Sequence, residues 1–264
     1  MGVIRIDTLD DERLSEFRNV PDPDLVSRHG LFVAEGRLVV RRLLDSGLEA
    51  RAVLATDTAL ASLQDGLVTH RALPVYVVSQ DVMNSVTGFN IHRGCLALGV
   101  RPPARDWRDV SATTRRLVVL ERVGDADNVG SIFRNAAAFG AGGVLLQSGC
   151  ADPLYRKAIR TSVAASLTVP YAAAEPWPQM LRDLHHAGWA TVGMTPSADA
   201  ASVRETVAGI ASQPVALVLG HEGDGLTREA LDACRHRARI PMAADVDSVN
   251  VATAAAIALY ELTR

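Results

Sequence analysis

The chain has 264 residues, 48% of them hydrophobic, with 27 basic against 30 acidic side chains and a formal charge of −3. That length suits two domains of ordinary size, and the slight acidity excludes a broadly basic nucleic-acid coat. No apolar run approaches the roughly 20 residues of a membrane span; the opening residues lack a secretory apolar core, and Cys95, Cys150 and Cys234 form no Cys-x-x-Cys pair, so a cytoplasmic setting without disulfides or structural metal is expected.

In chain order, residues 31–34 form a short apolar run, and residues 35–46 carry a helical period through Leu38, Val39, Leu43 and Leu44, with Gly47 as a natural stop. Residues 51–55, 75–78 and 95–100 read as strands, with helical stretches near 58–63 and 81–85 between them. This predicts a compact α/β domain. Pro102 and Pro103 forbid regular helix and central strand, which places a linker at about 101–115 and divides the chain into domains 1–105 and 106–264. The second domain opens with a strand at 117–120 and a helix from near Asn128, which can cap it, to Gly140, with Ile132, Phe133, Ala137 and Phe139 turned inward. A strand at 143–147, a helix around 178–187, a strand at 189–194 and a strand at 215–219 follow. Such alternation predicts a mostly parallel sheet covered on both faces. The closing helix, 249–262, is rich in alanine, which suits a close helix contact between subunits but is also simply a strong helix former.

Three polar clusters follow or end strands: Asn128-Val129-Gly130-Ser131-Ile132-Phe133-Arg134, then Gly220-His221-Glu222-Gly223-Asp224-Gly225, then Ile240-Pro241-Met242 leading to Ser248-Val249-Asn250-Val251. In an open α/β sheet ligands sit outside the carboxyl ends of the strands, so clusters distant in sequence can form one pocket. The glycine-rich turn is neither a Walker loop nor a dinucleotide loop. Its two acids, Glu222 and Asp224, would repel a pyrophosphate and favour a cationic ligand, while its glycines allow close backbone approach; a plain turn leading to a helix at Thr227 explains the segment as well. Asn128, Ser131 and Arg134 recur every three residues near a helix N-terminus, a place that can hold a phosphate. The seven histidines show no metal spacing. Apart from Lys157 all the positive charge is arginine, whose fork suits phosphates, although a GC-rich coding bias produces the same skew.

In this order, the three clusters resemble the signature motifs of the SpoU (TrmH) branch of the SPOUT RNA methyltransferases, over about residues 117–264. Asn128, Gly130 and Arg134 match the first motif; Gly220, Glu222 and Gly225 the second; Ile240, Pro241, Met242, Ser248, Asn250 and Val251 the third, with Val249 where leucine is usual. The N-terminal part, with residues 32–36 and 88–94, looks like the L30e-like substrate-binding domain that often precedes it. The resemblance implies a C-terminal α/β domain with a parallel sheet and a deep trefoil knot, homodimerisation through that domain, and S-adenosylmethionine held by Leu219, Gly220, Ile240, Met242 and Val249. It implies methyl transfer to a ribose 2′-hydroxyl of RNA, ribosomal rather than transfer RNA, with Arg134, Asn128, Glu222, Ser248 and Asn250 as site residues and Arg134, Arg93 and Arg37 as RNA contacts. A transfer-RNA substrate, or a non-catalytic ribosome-assembly protein that keeps the fold, are the alternatives.

Overall fold

The computed structural model describes residues 2–18, 21–87, 94–243 and 246–263. Its strands are β1 Val3–Arg5, β2 Leu31–Glu35, β3 Ala50–Ala55, β4 Val75–Val77, β5 Cys95–Val100, β6 Arg116–Leu120, β7 Gly143–Leu146, β8 Tyr171–Ala173, β9 Ala190–Met194, β10 Ala201–Ser202, β11 Val215–Leu219 and β12 His236–Arg239. The α-helices are α1 Asp22–Arg28, α2 Arg37–Asp45, α3 Asp57–Leu67, α4 Gln80–Thr87, α5 Trp107–Ala112, α6 Ala126–Ala138, α7 Arg156–Thr161, α8 Gln179–His186, α9 Val203–Gly209, α10 Arg228–Ala233 and α11 Val251–Glu261. Among the described residues no helix is long and apolar enough to cross a membrane.

The chain forms two compact units, one from Met1–Pro103 with Pro153–Thr168, the other from Ala104–Asp152 with Val169–Arg264. In the first unit a five-stranded mixed sheet has the order β1-β4-β3-β5-β2. β5 runs antiparallel to both β2 and β3. One side of its core gathers Ile6, Leu14, Phe17, Leu25, Leu31, Leu54, Met83 and Leu96. The segment Pro153–Thr168 joins this unit by docking α7 beside β2, where the Arg156 backbone N–H donates to Asp22 at 2.7 Å. Nothing in the composition of that segment marks it as separate from its neighbours in the chain.

The second unit is built on a seven-stranded sheet, β10-β12-β9-β11-β6-β7-β8, and every recorded strand pair in it is parallel. Parallel strands are long in apolar side chains because both faces must be covered. β11, Val-Ala-Leu-Val-Leu, is buried throughout. One face carries α5, α8 and α10 over a core of Trp107, Leu117, Val119, Met180, Leu184, Ala216 and Val218. α11 packs against α6 and β11, and the Asn135 amide donates to the Ala252 carbonyl at 2.8 Å.

Several expectations change. The stretch expected to be a linker contains α5, which Asp106 caps by accepting from the Arg108 N–H at 2.8 Å and which buries Trp107 and Val110. α6 starts earlier than expected. Asp125, not Asn128, is its N-cap, accepting from the Asp127 N–H at 2.8 Å, because a side chain before the first turn can reach the free donors and one within it cannot. On α6 it is Ala136 that is buried, while Ala137 is exposed. The last helix begins at Val251, after the cap Asn250.

Candidate active site

Strand order decides where the site can be. From β6 the chain moves outward through β7 to β8 on one side, while β11 and β9 lie on the other, so the order in which the chain adds strands reverses between β6 and β11, all of them parallel. A crevice opens at the carboxyl ends of strands at such a reversal. β6 and β11 pair in register up to Leu120 and Leu219, so the segments after them, 121–128 and 220–225, leave the sheet side by side.

The segment after β11 is a closed turn. His221 N–H donates to the Gly225 carbonyl at 3.1 Å and Gly225 N–H to the His221 carbonyl at 3.0 Å. The His221 ring fills the turn: its Nδ1 accepts from the Gly223 and Asp224 backbone N–H groups at 3.0 and 3.2 Å. Gly220 is required by proximity, since a Cβ there would lie 2.2 Å from the Gly225 carbonyl carbon and 2.3 Å from the Leu226 nitrogen. Gly225 takes φ 69°, a conformation natural to glycine.

This turn walls a pocket whose lining comes from four segments: Met194, Thr195 and Pro196 after β9; Leu219 to Gly225; Ile240 and Met242 after β12; and Ser248, Val249, Val251 and Ala254 at the start of α11. All five residues expected at the cofactor, Leu219, Gly220, Ile240, Met242 and Val249, line it, as do Glu222 and Ser248. Counted to its open mouth, solvent included, the pocket encloses about 750 Å³.

A chain of hydrogen bonds runs along one rim. Asn250 Oδ1 accepts from the Ala252 and Thr253 N–H groups at 2.9 and 3.3 Å, which leaves its Nδ2 to donate to Asn128 Oδ1 at 2.8 Å. Asn128 Nδ2 in turn donates to Glu222 Oε1 at 2.9 Å, and the Asp125 N–H reaches the same oxygen at 3.3 Å. Each amide is thus oriented by its neighbour, starting from the helix N-terminus. Burial would raise the Glu222 pKa, but the bonds from Asn128, its own backbone and Asp125, with the nearby His221, outweigh it and hold the carboxyl below its ordinary value. Arg134 is exposed on α6, outside the pocket lining, and no described residue hydrogen-bonds or ion-pairs with it. Arg37 is exposed at the start of α2 in the first unit; Arg93 lies outside the described residues.

Some residues at this site carried no sequence signal. Glu121, which follows β6, is 2% exposed and accepts three hydrogen bonds. Arg122 has φ 53°, in the left-handed region, and its guanidinium lies 4.0 Å from Asp224. Met194, Thr195 and Pro196 enter only because β9 neighbours β11, which no motif announces. Burial pushes the thiols of Cys95 and Cys150 up to about 11 and that of Cys234 to about 12, so none supplies a thiolate at neutral pH. Among the described residues no group of three or more His, Cys, Asp or Glu is arranged to hold a metal.

The family model described as the SpoU rRNA methylase family matches residues 115–260, more than half of the chain. An uncharacterized tRNA/rRNA methyltransferase of Mycobacterium bovis is 46% identical over 259 residues, which is 97% of this chain and 90% of that one. The AdoMet-bound rRNA methyltransferase of Sinorhizobium meliloti superposes with a TM-score of 0.84 at 25% identity, over 98% of this chain and 97% of that one. The crystal structure of an RNA 2′-O ribose methyltransferase superposes with a TM-score of 0.80 at 26% identity, over 98% of both chains.

Proposed function

The chain belongs to the SpoU rRNA methylase family, and from that premise we propose that it transfers a methyl group from S-adenosylmethionine to a ribose 2′-hydroxyl of structured RNA, ribosomal rather than transfer RNA. The observation that carries the reading is that the second and third motif clusters line one pocket and the first is tied to it by hydrogen bonds from Asn128 to Glu222 and from Asn250 to Asn128. A structural neighbour is described as AdoMet-bound, and another as a 2′-O ribose methyltransferase; both descriptions support the reading.

The lining fits the cofactor. Leu219, Ile240, Met242 and Val249 offer apolar walls, Gly220 leaves backbone open, and the carboxylates of Glu222 and Asp224 favour positive charge. When bound, S-adenosylmethionine supplies a methyl group activated by a positively charged sulfonium. The protein must align the hydroxyl with it and assist loss of the hydroxyl proton, since a ribose hydroxyl is a poor nucleophile at neutral pH. Arg134, without a hydrogen-bond or ion-pair partner among the described residues, clamps the phosphate beside the target ribose and polarises the hydroxyl while staying protonated. Asn128 and Asn250 hold Glu222 in place, and Ser248, exposed on the same pocket, orients the ribose. Arg37 and Arg93 of the L30e-like domain contact RNA backbone. RNA rather than DNA follows from the 2′-hydroxyl.

The same reading includes a trefoil knot in the second unit, a cytoplasmic setting and a homodimer through α11, whose Ala254, Ala256 and Ile257 are only half-buried. The test is transfer of labelled methyl from S-adenosylmethionine to unmodified ribosomal and transfer RNA, each digested to nucleosides. A 2′-O-methylnucleoside from ribosomal RNA is expected. A methylated base refutes the ribose assignment, and label confined to transfer RNA refutes the ribosomal one. No label in either fraction refutes the activity.

A further inference from the structure

We propose that Glu121 is a positioning residue that fixes the far end of the glycine-rich turn and so shapes the cofactor pocket; the inference rests on the pocket being the cofactor site. The turn is anchored at its near end by β11, whose Leu219 carbonyl accepts the Glu121 N–H at 2.9 Å. Its far end is Leu226 and Thr227. There the Glu121 carboxylate takes over: Oε2 accepts the Thr227 N–H at 2.8 Å, and Oε1 accepts the Thr227 hydroxyl at 2.7 Å and the Trp177 indole N–H at 2.9 Å. The Thr227 hydroxyl also accepts from the Ala230 N–H at 3.2 Å, so it caps α10 while its proton points at Glu121. One buried side chain thus joins the end of β6, the 175–178 segment and the exit of the turn.

Three donors and no acceptor face this side chain, which is a demand that only an ionised carboxylate meets in full. Among the described residues no cation pairs with it, so its burial carries a desolvation cost that an apolar residue would avoid. Glu121 lies at the strand end whose neighbour supplies Leu219 to Gly225 of the pocket wall, not in the middle of the sheet. The geometry therefore places the cost where the turn needs a fixed exit.

Glu121→Gln keeps the shape but replaces one acceptor by an NH₂ group. With its oxygen on Thr227 N–H, the new NH₂ can donate to the Thr227 oxygen but faces the Trp177 N–H donor to donor. Removing that donor by Trp177→Phe should relieve the conflict. In full-length Glu121→Gln protein, S-adenosylmethionine binding should weaken by about tenfold or more, the scale of one unsatisfied buried group. Its KM should rise while kcat at saturation changes by less than about threefold. Amide exchange should quicken at 221–227 and stay unchanged in β6. The double variant Glu121→Gln/Trp177→Phe should regain most of the affinity, a coupling that general loosening of the core would not produce. Unchanged exchange of the turn, or wild-type affinity in Glu121→Gln, overturns the proposal. If Glu121→Gln does not fold, Thr227→Val, which removes the hydroxyl's bonds to Glu121 and to the Ala230 N–H but keeps the Thr227 N–H bond, should still weaken binding, and undiminished affinity there overturns it equally. Failure of the wild-type protein to bind the cofactor would refute the functional reading instead, and the exchange measurement would still decide the role of Glu121.

Discussion

Replacing Gly220 by alanine tests the idea that backbone proximity, not side-chain chemistry, forms the pocket's central turn. The added methyl would sit 2.2 Å from the Gly225 carbonyl carbon, 2.3 Å from its oxygen and 2.3 Å from the Leu226 nitrogen. All three are backbone atoms and cannot rotate away. Ordinary carbon contacts begin near 3.5 Å, so the strand of the turn must retreat by about 1 Å. That retreat breaks the paired His221 and Gly225 hydrogen bonds at 3.1 and 3.0 Å. Overpacking costs about 1–3 kcal/mol and each of the two lost bonds about 0.5–1.5 kcal/mol, for a total of about 2–6 kcal/mol. At roughly 2–4 °C per kcal/mol for a protein of this size, Tm should fall by about 4–24 °C. Thermal unfolding and a calorimetric titration with S-adenosylmethionine measure both effects, and binding should weaken at least tenfold on the scale of about 1.4 kcal/mol per decade. A Gly220→Ala protein with wild-type Tm and wild-type affinity would refute the argument.

Arg134→Ala should leave Tm within about 2 °C, because an exposed side chain without a partner among the described residues contributes within about 0.5 kcal/mol. Methyl transfer should nevertheless collapse, and the salt dependence of RNA binding should lose about one unit of slope if the guanidinium holds a phosphate; near-normal turnover would contradict the assignment. Asn250→Asp separates two roles, since its carboxylate can still accept the Ala252 and Thr253 N–H groups but cannot donate to Asn128. Stability should be retained and transfer lost, whereas Asn250→Ala should also cost about 1 kcal/mol of helix capping. For Glu222, a folded pKa below its ordinary 4.5 means that its stabilising contribution is complete above pH 4.5 and fades as pH falls through the lower folded value. The difference in stability between wild type and Glu222→Gln should therefore be constant near neutrality and shrink in acid; a difference that widens in acid has the wrong sign for this account.

Where apolar pattern and burial coincide, the structure follows the sequence closely. β11 and β5 occupy the expected residues because every position is apolar and buried or nearly so. β12 was hidden for the opposite reason: three residues of His-Arg-Ala-Arg are polar, and only Ala238 is fully buried. Its position between β10 and β9 is therefore a tertiary fact, yet it delivers Ile240 and Met242 to the pocket. α5 was obscured by Pro102 and Pro103, which end one unit without preventing a short helix four residues later. The cap of α6 was misplaced because Asp125 and Asn128 are both good caps, and only the path of the chain after β6 selects between them. Glu121 was illegible because a carboxylate at a strand end looks solvent-facing; its three donors come from Thr227 and Trp177, 106 and 56 residues away.

The acidic turn raises an electrostatic question for an enzyme that must receive a polyanion. Its two carboxylates are not equivalent. Glu222 is committed to Asn128 and the Asp125 N–H, and Asp224 lies 4.0 Å from the Arg122 guanidinium and 3.9 Å from His221. Positive charge beside Asp224 offsets part of its repulsion, which salt screens further within about 10 Å at 0.1 M. Arg134 has no such commitment. The arrangement thus leaves the Arg134 guanidinium, without a partner among the described residues, for a phosphate, and two occupied carboxylates beside a cationic cofactor. Reversing it should separate the two ligands. Asp224→Asn should strengthen RNA binding slightly and weaken S-adenosylmethionine binding by about threefold, the effect of one exposed charge worth under about 1 kcal/mol. Filter binding of RNA and calorimetry of the cofactor would read the two effects independently, and changes of the same sign in both would show that Asp224 acts through the shape of the turn and not through its charge.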